Sequence, residues 1–229
     1  MNTQIQYPLT TPHGRLRRMI KVLIGSMLCL VCRKREGQLL AGSVGERLDL
    51  RDRLMIAALL RTNERRGTVD RLAPLQTWLW RSGQAVEFHR QAEARFQTWW
   101  LEGASALVTP LQQLIDTHPA GFSTLCEIGC GSGLVLENLS QRMPAVPSWL
   151  GLDLSPQQVR ANRTRFAGRG LRFVSADAAL WIPKHAAPGW IYFTNAGVLE
   201  YFPEGVLRTL LQHIAGCIRL CGPGIRNRQ

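Results

Sequence analysis

The sequence contains few lysines and few acidic residues. Its 229 residues include 25 arginines but only 3 lysines, against 16 aspartates and glutamates, and its formal net charge is +12. A strongly basic balance is typical of proteins that contact nucleic acid or an anionic membrane surface. The arginines are scattered along the chain rather than clustered with aromatic residues. A nucleic-acid partner is therefore an alternative that the charge alone does not favour.

Long hydrophobic runs are also lacking. The uncharged run at residues 22–32 has only eleven residues, whereas a helix that spans a bilayer needs about 20. A secretory signal peptide has the same basic-then-apolar order, but this run starts late and is followed by more charge. Residues 15–35 therefore predict either a packing helix or a short helix in weak contact with an anionic membrane surface. The pattern also leaves open whether Met1 or Met19 is the first residue.

Cysteines are few, and their spacing excludes two classes of site. Cys29 and Cys32 form one C-x-x-C pair, but no second pair and no histidine pair follows at the spacing of a zinc site. No metal site is predicted. A disulfide scaffold is untypical of a chain of this size, so we expect reduced thiols in a cytoplasmic protein, peripheral to the inner membrane face if residues 15–35 bind there.

The most informative segment combines an apolar run, a glycine-rich turn and a second apolar run. Residues 125–133 read Leu-Cys-Glu-Ile-Gly-Cys-Gly-Ser-Gly, and residues 149–153 read Trp-Leu-Gly-Leu-Asp. This order predicts a βαβ unit whose turn uses glycine because the backbone adopts positive φ and a ligand approaches it closely. Asp153, at the end of the second strand, is where ribose hydroxyls would need an acceptor.

The spacing of the glycines distinguishes between two classes of cofactor. A dinucleotide site requires G-x-G-x-x-G/A, but Gly129, Gly131 and Gly133 give G-x-G-x-G, and Leu134 stands where the last small residue would be. Glu127 would repel a pyrophosphate and attract a cationic ligand. These residues resemble motif I of the class I S-adenosylmethionine-dependent methyltransferases.

Later segments extend this resemblance. Ser155 and Pro156 predict the capped start of a helix, and residues 171–178 predict a third strand that ends in an acid. Residues 190–195 resemble the motif IV strand of the family, and residues 196–202 the loop that faces the methyl group. The resemblance implies cofactor-binding roles for seven residues: Glu127, Gly129, Gly131, Gly133, Asp153, Asp177 and Asn195. Among them, Asp153 would hold the ribose, Asp177 the adenine amino group and Asn195 the methionine amino group.

The catalytic residue is not predicted. His89, Glu200 and Tyr201 are candidates for a general base by type or location, and the sequence does not select among them. The Asn-Pro-Pro-aromatic sequence that amino-group methylases of DNA carry after the fourth strand is absent from this chain.

The resemblance implies an α/β fold, a doubly wound and mainly parallel Rossmann-like sheet, preceded by a helical cap. We expect a basic and apolar N-terminal segment at 1–44, the helical cap at 45–104 and the cofactor-binding domain at 105–229. The family sheet has seven strands in the order 3-2-1-4-5-7-6, and residues 206–220 predict a sheet-packing helix after the fourth. Few residues follow that helix, so we expect a domain that is truncated at its C-terminus.

The expected function is methyl transfer from S-adenosylmethionine to a small-molecule acceptor. One alternative is an RNA or protein methyltransferase, which the basic charge allows. Another is a truncated cofactor-binding module without catalytic activity. The sequence indicates neither the acceptor nor the oligomeric state.

Overall fold

A computed structural model describes residues 12–45, 48–117, 122–195 and 198–219. The chain divides into two compact units, residues 1–78 and 79–229. The helices up to residue 117 are α1 Pro12–Val31, α2 Arg33–Leu40, α3 Leu50–Arg66, α4 Ala73–Arg81 and α5 Gln84–Asp116, with a short 3-10 helix at Val69–Leu72. Elements after residue 122 alternate between strand and helix: β1 Thr124–Ile128, α6 Leu134–Arg142, β2 Trp149–Asp153, α7 Pro156–Arg165, β3 Leu171–Ser175, α8 Ala178–His185, β4 Trp190–Phe193, a 3-10 helix Leu199–Tyr201 and α9 Glu204–Arg219.

The first unit is built on the packing of α1 against α3. A Cβ atom on Gly25 would clash with the carbonyl oxygen of Leu54, so the two helices approach so closely that only glycine fits. Arg35 of α2 forms a two-pronged ion pair with Asp52 of α3, with N···O distances of 2.8 and 2.7 Å. The buried Asp52 thus has its charge compensated, and the Arg35 hydrogen bonds lower its pKa. Bidentate pairs of this kind fix geometry as well as charge.

The second unit contains a four-stranded parallel sheet in the order β3-β2-β1-β4. Alternate side chains of the strands point to opposite faces. Leu125 and Trp149 join one apolar cluster with residues of α5, α6 and α7, while Cys126 and Leu150 join another with residues of α8 and α9. Both faces are therefore covered by helices, which explains why the strands read as continuous apolar runs. The predicted doubly wound α/β fold is confirmed.

Local sequence signals in this unit also agree with the structure. Ser155 caps α7, and its hydroxyl accepts the backbone N–H of Gln158 at 3.2 Å. The predicted boundary at residue 105 falls inside the continuous helix α5, and the division into three parts stays a prediction. The predicted loop residues 196–197 and the segment 220–229 lie outside the described residues.

Candidate functional site

The candidate site lies at the carboxyl ends of the strands, where the glycine loop, residues 129–133, follows β1. Glu127 lies in β1, Asp153 ends β2, and Asp177 follows β3 by two residues. Because the strands are parallel and adjacent, these three acids come together at one edge of the sheet. In open α/β sheets this edge is where ligands bind.

Gly129 and Gly131 combine positive φ with close contacts. Their φ values are 71° and 49°, a backbone region in which other residues are strained. A Cβ on Gly131 would lie 2.8 Å from Cε1 of His89, and one on Gly129 would lie 2.6 Å from a methyl group of Val198. The absence of side chains therefore lets α5 and the segment after β4 approach the loop directly.

Asp153 fixes the glycine loop to the end of β2. One carboxylate oxygen accepts the N–H of Gly131 at 2.9 Å, and the other accepts the N–H of Ser155 at 2.8 Å. The side chain is buried. Each oxygen has a second lone pair, so this carboxylate can serve the fold and also accept a ligand hydroxyl.

Two amides of α7 complete the support of the loop. Asn162 donates from Nδ2 to the carbonyl oxygen of Gly131 at 2.7 Å, and its Oδ1 accepts a hydrogen bond from Gln158 at 2.9 Å. Both side chains are buried. The sequence interpretation missed them, although their spacing of four residues places them on one face of the helix.

Glu127 is a buried carboxylate with unused acceptor capacity. It is 2% exposed and accepts the backbone N–H of Leu136. Its Oε2 has no hydrogen-bond partner among the described residues. Burial, and next the negative charge of Asp153, raises the pKa of Glu127 well above its ordinary value. A cationic or hydrogen-bond-donating ligand would relieve both effects.

Asp177 borders a cavity of about 260 Å³. Its Oδ1 caps α8 by accepting the N–H of Ala179 at 3.0 Å, and its Oδ2 lies 3.9 Å from Arg81. The cavity is smaller than the roughly 300–1,000 Å³ of a pocket for a whole drug-sized ligand, so it suits one part of a nucleotide. Its lining consists of Arg81, Leu154, Pro156, Ser175, Ala176 and Asp177. The sequence interpretation did not include Arg81, which precedes the motifs by more than forty residues.

Asn195 lies beyond the end of β4, next to α5. Its side-chain Oδ1 would be 3.3 Å from a Cβ on Gly103. Asn195 therefore borders the same edge of the sheet through its contact with α5, and its predicted role toward a methionine amino group stays a prediction.

Two of the three candidate bases share an aromatic cluster above the glycine loop. The ring of Trp80 lies 5.7 Å from that of His89 and 5.3 Å from that of Tyr201. Burial lowers the pKa of His89, whereas burial and the charge of Glu200 raise that of Tyr201. Glu200, the third candidate, is exposed. His89 is the candidate for which a contact with the loop is seen, at Gly131.

Comparison with known proteins agrees with this geometry. A family model described as a methyltransferase domain matches residues 125–222. This part of the chain is therefore similar to a methyltransferase domain, and the resemblance to the class I S-adenosylmethionine-dependent methyltransferases that the glycine spacing and the order of acids indicate is confirmed for it. The predicted cofactor, S-adenosylmethionine, is confirmed as well.

Curated methyltransferases match part of the chain. Malonyl-[acyl-carrier protein] O-methyltransferase of Paenibacillus sp. (strain JDR-2) is 34% identical over 76 residues, which cover 31% of this chain and 27% of that protein. An uncharacterized methyltransferase of Mycobacterium tuberculosis (strain ATCC 25618 / H37Rv) is 34% identical over 59 residues, 26% of this chain and 28% of that protein. The matched region thus spans less than a third of these relatives.

Solved structures of methyltransferases are similar at lower identity. The plantazolicin methyltransferase in complex with SAH has a TM-score of 0.45 and 18% identity, over 69% of this chain and 58% of that one. An amino pentose methyltransferase from Micromonospora echinaspora, with SAM bound, has a TM-score of 0.42 and 18% identity, over 51% of this chain and 45% of that one.

The site residues of this methyltransferase domain fit the family cofactor. The sulfonium and ammonium groups of S-adenosylmethionine are cationic, and Glu127 offers a buried oxygen without a partner among the described residues. The cavity beside Asp177 is bordered by residues that follow β2 and β3, where an adenine ring would lie if the ribose is at Asp153. The donor set and the available space therefore suit this cofactor.

Proposed function

We propose that the chain binds S-adenosylmethionine at the carboxyl edge of its sheet and transfers the methyl group to a small-molecule acceptor. One observation carries the proposal: acids in or just after three adjacent parallel strands lie at one edge of the sheet, beside a glycine loop that is held in place by Asp153 and Asn162. A site that is fixed before the ligand arrives favours in-line positioning.

Each part of the cofactor that needs a polar partner has a candidate residue in the chain. Glu127 would accept from the cationic methionine end, Asp153 from the ribose hydroxyls and Asp177 from the adenine amino group, while Asn195 would contribute its backbone. When bound, the cofactor supplies a methyl group that is already activated as a sulfonium. The chain's residues then act mainly by orienting the reactants and excluding water.

The surroundings of the loop support a small acceptor. Trp80, His89 and Tyr201 form an aromatic cluster, and its member His89 contacts the loop. Such a cluster suits an apolar or aromatic molecule. The depressed pKa of His89 favours its neutral form, which is able to accept a proton from an acceptor hydroxyl. The matched relative from Paenibacillus is named as an O-methyltransferase, and methyl transfer to oxygen is the reaction we propose.

Part of the basic charge of the second unit is compensated, which favours a small molecule over nucleic acid. Five of its described arginines are engaged by carboxylates, among them Arg81 with Asp177, Arg165 with Glu93 and Arg169 with Glu137. Nucleic-acid binding depends on cations that neutralise phosphates, and these arginines already have anionic partners. The cytoplasmic location stays a prediction.

Calorimetric titration tests the first part of the proposal, that the chain binds S-adenosylmethionine. We expect the chain to bind S-adenosylmethionine and not NAD. Asp177→Asn should weaken binding about tenfold, the equivalent of one hydrogen bond, because asparagine preserves the cap on α8 but offers its amide in place of a carboxylate oxygen. Asp116→Asn, at an exposed position at the end of α5, is the matched control and should bind normally.

A turnover assay tests the second part of the proposal, that the methyl acceptor is a small molecule. The chain is incubated with the cofactor and a panel of small carboxylic acids and phenols, and released S-adenosylhomocysteine is measured. Release with a panel member supports a small acceptor. Methylation of RNA or protein alone would contradict that part, and failure of a folded chain to bind the cofactor would contradict the whole proposal.

A further inference from the structure

Helix α1 presents a broad apolar surface to solvent. Eight large apolar side chains on it are between 42% and 82% exposed. At 100° per residue they fall within an arc of about 140°. We name these residues the apolar face of α1: Leu16, Met19, Ile20, Leu23, Ile24, Met27, Leu30 and Val31.

The opposite side of the same helix is packed. Gly25 and Cys29 are buried, and Gly25 contacts the backbone of α3 at Leu54. The helix is therefore fixed in an orientation that turns its apolar face outward. Contiguous apolar surfaces of this kind are rare on soluble monomers and mark interaction sites.

The charge of this region identifies the partner. Residues 1–35 contain no aspartate or glutamate and seven basic residues: Arg15, Arg17, Arg18, Lys21, Arg33, Lys34 and Arg35. Arg35 is engaged by Asp52 and Arg18 lies 4.0 Å from Glu64, whereas Arg17, Lys21 and Lys34 are exposed. Exposed cations beside an apolar stripe are complementary to a surface that is anionic outside and apolar beneath.

A second copy of the chain is a poorer match for this face. Contact between two α1 helices through their apolar faces would bring two sets of basic residues together, without the acidic residues that could compensate them. No helix of the described part of the chain has the length and apolar character needed to cross a bilayer. The geometry that fits is a helix that lies in the plane of the membrane surface.

We propose that α1 binds an anionic lipid bilayer. Its apolar face enters the boundary between headgroups and acyl chains, and Arg17, Lys21 and Lys34 contact the anionic headgroups. The low overall hydrophobicity of the helix, with cations beside its apolar stripe, is the pattern of interfacial helices. Burial of the apolar face and attraction of the cations to the headgroups act together, and neither depends on the methyltransferase site.

Vesicle co-sedimentation of the full chain tests this proposal. One set of vesicles contains phosphatidylcholine alone and the other contains about 30% phosphatidylserine, enough for the negative surface potential of an anionic leaflet. We expect binding to the anionic vesicles, much weaker binding to the neutral ones, and a decrease as salt is raised because headgroup attraction is screened.

Paired variants separate the two contributions. Leu23→Gln with Met27→Gln should weaken binding to anionic vesicles about 100-fold, because each buried side chain contributes at least a tenfold factor. The matched control carries Leu114→Gln and Leu211→Gln, two exposed apolar positions on α5 and α9, and should bind as the wild type does.

A second pair tests the charges. Arg17→Gln with Lys21→Gln should weaken anionic binding about 10- to 30-fold, from about a fivefold factor per cation near the surface. Its control is Arg160→Gln with Lys184→Gln, at exposed positions in the second unit. The charge variants leave the packed side of α1 intact, so they test the proposal even if the apolar variant does not fold.

Three results would overturn the proposal: no sedimentation of the wild type with anionic vesicles, equal binding to neutral and anionic vesicles, or unchanged binding of both variant pairs. Light scattering without lipid adds a fourth. A wild-type dimer that the Leu23 and Met27 variant dissociates would assign the apolar face to a second copy. Binding of S-adenosylmethionine should be the same in all these variants.

Discussion

Substitution of Gly131 by alanine tests whether α5 holds the glycine loop through His89. Two effects add at this position. The φ of 49° is unfavourable for alanine by about 1–2 kcal/mol. The new Cβ would also lie 2.8 Å from Cε1 of His89, and crowding in a packed region costs about 1–3 kcal/mol more. We expect Gly131→Ala to lower the free energy of unfolding by about 2–5 kcal/mol.

Gly168 provides a matched control within the same unit. Its φ is 77°, and nothing lies within 4 Å of a Cβ built there. Gly168→Ala should therefore cost only the backbone strain, about 1–2 kcal/mol. The difference between the two substitutions isolates the contact with His89.

A double-mutant cycle with His89→Ala completes the test. In that background Gly131→Ala should cost no more than Gly168→Ala, which corresponds to a coupling energy of at least about 1 kcal/mol. Urea denaturation followed by tryptophan fluorescence suits the measurement, because six of the seven tryptophans lie after residue 78. Equal costs for the two glycine substitutions, or an unchanged cost of Gly131→Ala without His89, would refute the reasoning.

Three further predictions concern buried groups and helix packing. Burial raises the pKa of Glu127 in the folded chain. The stability that this shift contributes is therefore complete below the pKa of glutamate in the unfolded chain, about 4.3, and is lost as pH rises through the pKa in the folded chain. Glu127→Gln should flatten this fall in unfolding free energy, and a pH series that matches the wild type would contradict it. Asp153→Ala should cost about 3–5 kcal/mol because two backbone N–H groups lose a charged acceptor, with Asp153→Asn intermediate in chemical denaturation. Gly25→Ala should destabilise the first unit by several kcal/mol, since its Cβ would meet Leu54. Gly37→Ala, with nothing within 4 Å, should be neutral or stabilising by up to about 1 kcal/mol in thermal unfolding.

Structural features that depend on residues close together in the sequence could be predicted from it. The cap at Ser155 depends on residues within one helical turn, and the glycine spacing with the acids at the strand ends indicated the loop and the cofactor class. The strand order came from the family resemblance, because no local pattern determines which parallel strands pair. The sheet β3-β2-β1-β4 agrees with that expectation.

Long-range contacts could not be predicted in the same way. His89 contacts Gly131 although the two residues are 42 positions apart in the sequence. The buried amides Gln158 and Asn162 lie on a helix so polar that its inner side resembles a solvent-facing one. Their role depends on the carbonyl of Gly131, which has no signature in the side-chain sequence.

The restraint of Gly131 has a consequence for the kinetics of ligand binding. Its N–H is held by Asp153, its carbonyl by Asn162, and its open face by His89. A loop restrained in three directions has little conformational entropy to lose when a ligand arrives. Association should then proceed without a slow ordering step in this loop, at a rate that depends on diffusion and on orientation of the ligand.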